Sequence, residues 1–226
     1  MTNGGTGRPL LRTLVALTLI SGLVDAVSYL GLGHVFTANM TGNVVVLGFA
    51  AAGAAGFSVL ASLTSLGAFL LGALCAGRVA TVVHGRGRLL LLAMSVEVIF
   101  VAGATAVALG TATVSSGWSR YTVIGILAFA MGVRNATVRR LAVPDMTTTV
   151  LTMTLTGLAA DSRLAGGDNK GTARRTASVA AMLAGAVAGA AMYLHTGAGL
   201  PLLVAALVVG TSLVLFWRSG AVTMDT

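Results

Sequence analysis

Four charged residues stand inside long apolar runs: Asp25, Arg78, Glu97 and Arg134. At the centre of a membrane-spanning helix a charge costs a few kcal/mol unless it is paired or hydrated, so such residues mark ion paths, proton relays or structural pairs. Asp25 lies roughly 20 Å into its run and Glu97 roughly 12 Å into its own, at 1.5 Å of rise per residue. Read chemically, either acid is a proton or cation site with an arginine as its counter-charge. Read structurally, the same groups form an ion pair that holds helices together. Arg78 and Arg134 stand nearer the ends of their runs, where a long side chain either snorkels outward or reaches inward to an acid.

The densest polar stretch is Gly31-Leu32-Gly33-His34-Val35-Phe36-Thr37-Ala38-Asn39-Met40-Thr41-Gly42-Asn43. His34, Thr37, Asn39, Thr41 and Asn43 offer imidazole, hydroxyl and amide groups beside glycines that let the backbone turn. Asn39 or Thr41 also suits the cap of a following helix over 44–56. Five such groups exceed what one cap needs. The second half supplies matching material in Arg134-Asn135, Thr147–Thr149, Thr152, Thr154 and Thr156. Threonine at every second position from Thr152 to Thr156 does not line one helical face, so part of that run is expected to be extended.

Composition dictates what must position these groups. Of 226 residues, 56% are apolar and 9% charged, against about 25% charged in a soluble domain. Roughly 20 apolar residues cross a bilayer as a helix, and lipid leaves an open chain no other way to satisfy its backbone. The fold class is therefore an all-α polytopic membrane protein. Apolar runs cover 10–32, 57–83, 89–110, 121–138, 176–194 and 201–217, with shorter, more polar stretches at 34–56 and 146–160 that read as re-entrant or broken helices.

The chain carries 14 Lys and Arg against 6 Asp and Glu, a net charge of +8. Few aromatics accompany them, so a membrane orientation signal explains the excess better than nucleic acid. Six crossings with two re-entrant segments put nearly every base on the cytoplasmic side, with both termini there and Arg120 as the exception. Residues 1–9 read as a disordered cytoplasmic tail, 10–217 as one transmembrane domain and 218–226 as a cytoplasmic tail. Val24-Asp25-Ala26 offers small residues to a signal peptidase, yet the apolar run continues through Leu32, which argues against cleavage.

Met40-Thr41-Gly42 recurs as Leu155-Thr156-Gly157, and each follows one long run and precedes two more. This spacing predicts an inverted 3+3 repeat with units of about 10–110 and 120–217, the plan of many transporters. The alternative is that Thr and Gly simply let helices pack closely in lipid.

Asp25-Ala26-Val27-Ser28-Tyr29-Leu30 and the run over 31–43 resemble the signature of the YoaK-like bacterial inner-membrane proteins, a domain family of unknown function. Gly132-Val133-Arg134-Asn135-Ala136 resembles that family's second motif, in which Gln usually precedes the Asn, and 149–157 resembles its third. The resemblance implies a multi-pass protein of the bacterial cytoplasmic membrane and supplies no substrate.

Enzyme signatures are absent: no His-x-x-x-His, no cysteine pair, and no phosphate loop beside the one lysine, Lys170. No metal or cofactor is expected. The sequence thus predicts a permease or channel for a small, unidentified solute, with a polar site formed where the two broken helices meet near the midplane and with proton coupling open to it. Asp25, His34, Asn39, Thr41, Asn43, Glu97, Arg134, Asn135 and Thr156 form the candidate site. A structural or partner-binding membrane protein is the alternative, an intramembrane hydrolase using Asp25 and Glu97 ranks lower, and homo-oligomerisation is compatible with the glycine-rich helices.

Overall fold

The computed structural model describes residues 7–111, 117–142, 151–169 and 171–221. They form eight α-helices: α1 (Gly7–Gly31), α2 (Met40–Ala51), α3 (Val59–Val82), α4 (Arg86–Gly110), α5 (Gly117–Leu141), α6 (Leu151–Ala160), α7 (Thr172–Thr196) and α8 (Gly199–Arg218). Six are long and apolar enough to cross a membrane, and α2 and α6 are the two short ones. Three boundaries move. Residues 7–9, assigned by sequence to the tail, already belong to α1. Helix α2 starts at Met40, so Thr41 lies inside it instead of capping it. Residues 152–156 are helical, not extended, while Thr147–Thr149 lie outside the described residues.

Helix directions follow from which residues meet. Leu19 packs on Gly185 and Gly31 on Tyr193, so α1 and α7 run parallel. Gly72 meets Phe129, and Arg140 donates to the carbonyls of Gly77 and Ala80, so α3 and α5 run parallel. Arg134 bonds Glu97 and Arg86 bonds the carbonyl of Leu141, setting α4 against α5. Arg134 reaches Leu17 while Arg120 lies against Gly33, setting α5 against α1. Gly199 rests on Leu109 and Gly210 near Val98, so α8 opposes α4. Long helices therefore alternate in direction along the chain. As a result the segment that holds α2 leaves from and returns to one end of the bundle and the segment that holds α6 does so at the other, and residues 7 and 218 share an end.

Basic residues divide the same way. Arg8, Arg12, Arg78, Arg86, Arg88, Arg139, Arg140, Arg174, Arg175 and Arg218 fall at or near helix ends on the face that holds residue 7, and Arg120 falls at the opposite face.

Two close crossings hold the long helices together. On α1, Gly22 abuts the backbone of Met182 and Ala186, and Gly185 of α7 abuts Leu19. On α5, Gly132 abuts the backbone of Phe69 and Ala73, and Gly72 of α3 abuts Phe129. With no hydrophobic force between helices in lipid, backbone contact through small residues supplies the attraction. A side chain at any of these four glycines would fall on backbone that cannot yield. Gly132→Leu is expected to lower unfolding stability by about 3 kcal/mol or more, the upper range for overpacking. Gly67→Leu, on the same helix system with open space beside it, is expected to change it by less than about 1 kcal/mol; thermal unfolding in detergent compares the two.

Candidate functional site

The site is built by a chain reversal at the end of α1. Leu32 N–H donates to Ser28 and His34 N–H to Tyr29, and Gly33 and His34 take left-handed backbone, with φ of 93° and 59°. This turn sends residues 35–39 back down into the bundle, where Leu32, Val35, Thr37 and Ala38 are buried. A descending strand of this kind leaves its peptide groups without helical partners, and polar side chains must supply them.

Asp25 supplies most. Its Oδ1 accepts from the N–H of Thr37 at 2.8 Å and of Ala38 at 2.7 Å, and its Oδ2 accepts from Asn39 Nδ2 at 2.5 Å. Ser28, one turn further along α1, bonds the Thr37 hydroxyl at 3.0 Å. From the other side Asn135 of α5 donates to the Ala38 carbonyl at 3.2 Å. Asn43, one turn into α2, brackets Phe36 by accepting from its N–H at 2.8 Å and donating to its carbonyl at 2.6 Å. Ser65 of α3 donates to the same carbonyl at 2.6 Å. Asn39 occupies the cap position of α2 without bonding its first amides; its Nδ2 donates to Asp25 instead.

Beside this turn lies an ion pair. Arg134 Nη1 donates to Glu97 Oε1 at 2.8 Å and to the Leu17 carbonyl at 3.1 Å, and Nη2 donates to Ser21 Oγ at 2.5 Å. Both charged side chains are fully buried. Arg134 Nε and Glu97 Oε2 have no hydrogen-bond partner among the described residues. Asp25 is 4% exposed and Asn135 7% exposed, and Asn43 is buried, while Phe36 and Asn39 at the edge of the network are partly exposed. The network holds two carboxyl groups and one guanidinium.

The structure thus brings together Asp25, Asn39, Asn43 and Asn135 around the turn, with Glu97 and Arg134 alongside. Three predicted members stand apart. His34 is exposed and clasps the far end of the loop, its Nδ1 3.0 Å from the Gly56 carbonyl and its ring against Tyr29 and Phe57. Thr41 is exposed on α2. Thr156 is exposed on α6 and donates to the Thr152 carbonyl; it is Thr154 that is buried. Helix α2 packs on α3 and α6 on α7, so the two Thr-Gly segments rest on different long-helix pairs and do not meet in one polar site as the sequence predicts; the polar network is built from the turn before α2 with α1, α3 and α5. Arg78 is exposed, and the counter-charge that reaches inward is Arg134. Asp25 and Glu97 share no hydrogen bond; each is held by its own donors.

Ser21, Ser28 and Ser65 were missed by sequence reasoning. The first two had a signal: they stand four before and three after Asp25, on its face of α1.

The sequence matches the model of a family described as protein of unknown function (DUF1275) over residues 13–215. The chain belongs to the DUF1275 family. Within reach of this family is UPF0700 transmembrane protein YoaK of Bacillus subtilis (strain 168), 33% identical over 156 residues, which cover 66% of this chain and 65% of the relative. The chain thus spans just under two thirds of that relative's length. No solved structure matches. In this DUF1275 member the matched span contains every residue of the network just described, and the six long helices make it an integral, multi-pass membrane protein.

Proposed function

We propose that the protein is a small-solute permease of the bacterial cytoplasmic membrane, without enzymatic chemistry, built as an inverted repeat of α1–α4 and α5–α8. One observation carries the reading: Asp25 and Asn135, at corresponding positions of two oppositely directed helices, both close on the returning chain at Thr37–Asn39. Broken chain at depth, gripped by polar groups from both halves, is how transporters present peptide dipoles to a solute.

Several further features support the repeat. Buried positions along α1 recur in order along α5, pairing Gly22 with Gly132 and Asp25 with Asn135, and the half-buried Ala26 falls against the half-buried Ala136. Helix contacts exchange under the same pairing: α1–α7 with α5–α3, α4–α5 with α8–α1, and α2–α3 with α6–α7. The glycine crossings exchange as well, Gly185 on Leu19 with Gly72 on Phe129. The basic face is assigned to the cytoplasm, because cytoplasmic loops collect Lys and Arg; both termini then lie inside.

Two buried carboxyls against one guanidinium leave room for one proton or monovalent cation in the transport cycle, which suits coupling to an ion. Because Asp25, Asn43 and Asn135 are buried, solute access to them requires α2 or its turn to move. The experiment is a thermal-shift screen of the purified protein against small neutral, cationic and anionic metabolites, followed by flux in proteoliposomes for any hit. A hit is expected to raise Tm in the wild type and to be lost in Asn135→Ala, which removes one grip on Ala38. Stabilisation and flux unchanged in Asn135→Ala would refute the site. A stoichiometric companion protein and no solute response would favour a structural role.

A further inference from the structure

We propose that the cleft between α3 and α4 is a binding site for an anionic phospholipid, its headgroup at His84 and Arg88 and one acyl chain in the groove above them. The site is separate from the solute network and does not depend on that reading.

The apolar part exists because α3 and α4 both pack on α5 and scarcely on each other. Their divergence leaves a hollow of about 280 Å³, with Cys75 and Val79 on one wall, Leu92 and Val96 on the other, and Phe129 and Val133 of α5 as its floor. Of the residues that line it, Cys75, Val79 and Leu92 are exposed, so the groove opens sideways toward lipid. In the other half α7 and α8 do pack on each other, and the equivalent opening is narrowed.

The polar part lies at the foot of the same groove. A second hollow of about 510 Å³ is lined by Val82, Val83, His84, Arg88, Leu91 and Leu92. Leu92 belongs to both, and Val82 follows Val79 by one helical turn. The two hollows therefore adjoin at Leu92, an apolar slot beside a basic mouth.

Charge selects the headgroup. His84 and Arg88 are exposed, with Arg78 and Arg86 on the same turn of chain, and no Asp or Glu occurs between Asp25 and Glu97. This mouth stands on the basic face of the bundle. A basic hollow between transmembrane helices on that side suits an acidic lipid headgroup, whereas a zwitterionic headgroup gains little from it. An apolar slot adjoining the mouth distinguishes a lipid from free phosphate, which has no use for the slot.

The chain's one cysteine, Cys75, lines the groove and is exposed, which makes it a native reporter. Purified protein in detergent would be given dioleoyl phosphatidylglycerol, dioleoyl phosphatidylcholine or water-soluble glycerol phosphate, and the rate of N-ethylmaleimide addition to Cys75 and the Tm recorded. Phosphatidylglycerol is expected to slow alkylation and raise Tm relative to phosphatidylcholine, with a preference of about fivefold for each basic group at the mouth. Arg88→Gln with His84→Gln, both on the surface, is expected to erase the difference between the two lipids. Val133→Trp, which fills the floor, is expected to erase protection of Cys75 by either. Equal protection by both lipids in the wild type would overturn the headgroup assignment, and stabilisation by glycerol phosphate alone would reassign the mouth to a free anion. Protection that rises with protein concentration in the absence of lipid would show a second copy of the chain in the groove and overturn the proposal.

Discussion

Replacing both Glu97 and Arg134 by Val is expected to leave a folded protein, while either replacement alone costs about 3–5 kcal/mol, the usual penalty for stranding one member of a buried ion pair. The two side chains are fully buried and meet at 2.8 Å. Removing Arg134 leaves the Glu97 carboxyl with neither of its oxygens partnered, since Oε2 already lacks a partner among the described residues. Removing Glu97 leaves the guanidinium with only Ser21 and the Leu17 carbonyl. The double replacement strands neither. Ser21 keeps its own bond to the Leu17 carbonyl at 3.1 Å, so the remaining cost is the void left by the guanidinium, of order 1–2 kcal/mol for a partly relaxed cavity. The proposed repeat supplies the model for this variant: the positions corresponding to Arg134 and Glu97 are Val24 and Val209, both fully buried. Aligning buried Leu89, Leu90, Ala93 and Met94 of α4 with buried Pro201, Leu202, Ala205 and Ala206 of α8 sets Glu97 against Val209, so under the proposed repeat the other half packs this corner with two valines. Unfolding by denaturant in mixed micelles measures all three variants. A double variant as unstable as the worse single one would mean that the contacts to Leu17 and Ser21, not charge balance, hold the corner. Loss of a solute response in a stable double variant would place the pair in the transport cycle.

That comparison also shows which features the sequence carried openly. Crossing helices were legible because apolar length is a property of the chain itself; all six appear within a few residues of their apolar runs. The alternating directions were legible because loop charge is a sequence property, and the bases do gather on one face. Asp25, Asn39, Asn43 and Asn135 were legible as polar groups in apolar surroundings. Their task was not. Nothing in the residue pattern reveals that Asp25 reaches across a turn to Thr37 and Ala38, because that contact depends on where a left-handed turn at Gly33 and His34 sends the chain. The Thr-Gly echo misled in a physical way. It marks where each short helix runs, yet Thr41 and Thr156 both face outward. In the proposed repeat the equivalence is Gly22 through Ala26 against Gly132 through Ala136, whose match in letters is only Gly, Asp or Asn, and Ala. It becomes visible through burial and helix contact, which sequence spacing alone does not report.

Asp25→Ala is expected to release the start of α2, with a stability loss of about 3 kcal/mol, because each buried donor left unsatisfied costs about 1–3 kcal/mol. Thr37 N–H, Ala38 N–H and Asn39 Nδ2 all lose their acceptor at once. Amide hydrogen exchange at residues 37 and 38 should accelerate by more than about a hundredfold, the equivalent of that free energy. Asp25→Asn is a finer instrument. Its oxygen still accepts from the two amides, but its Nδ2 now faces Asn39 Nδ2, donor against donor. Adding Asn39→Asp restores a donor–acceptor match and moves the carboxylate across one hydrogen bond, from α1 to the residue that precedes α2. If Asp25 serves only to hold the turn, the double variant recovers both stability and any solute response of the wild type. If the carboxylate must stand on α1, opposite Asn135, stability returns and the solute response does not. The proposed permease requires the second result, and the first would leave Asp25 as a helix-positioning residue in a membrane protein whose function lies elsewhere.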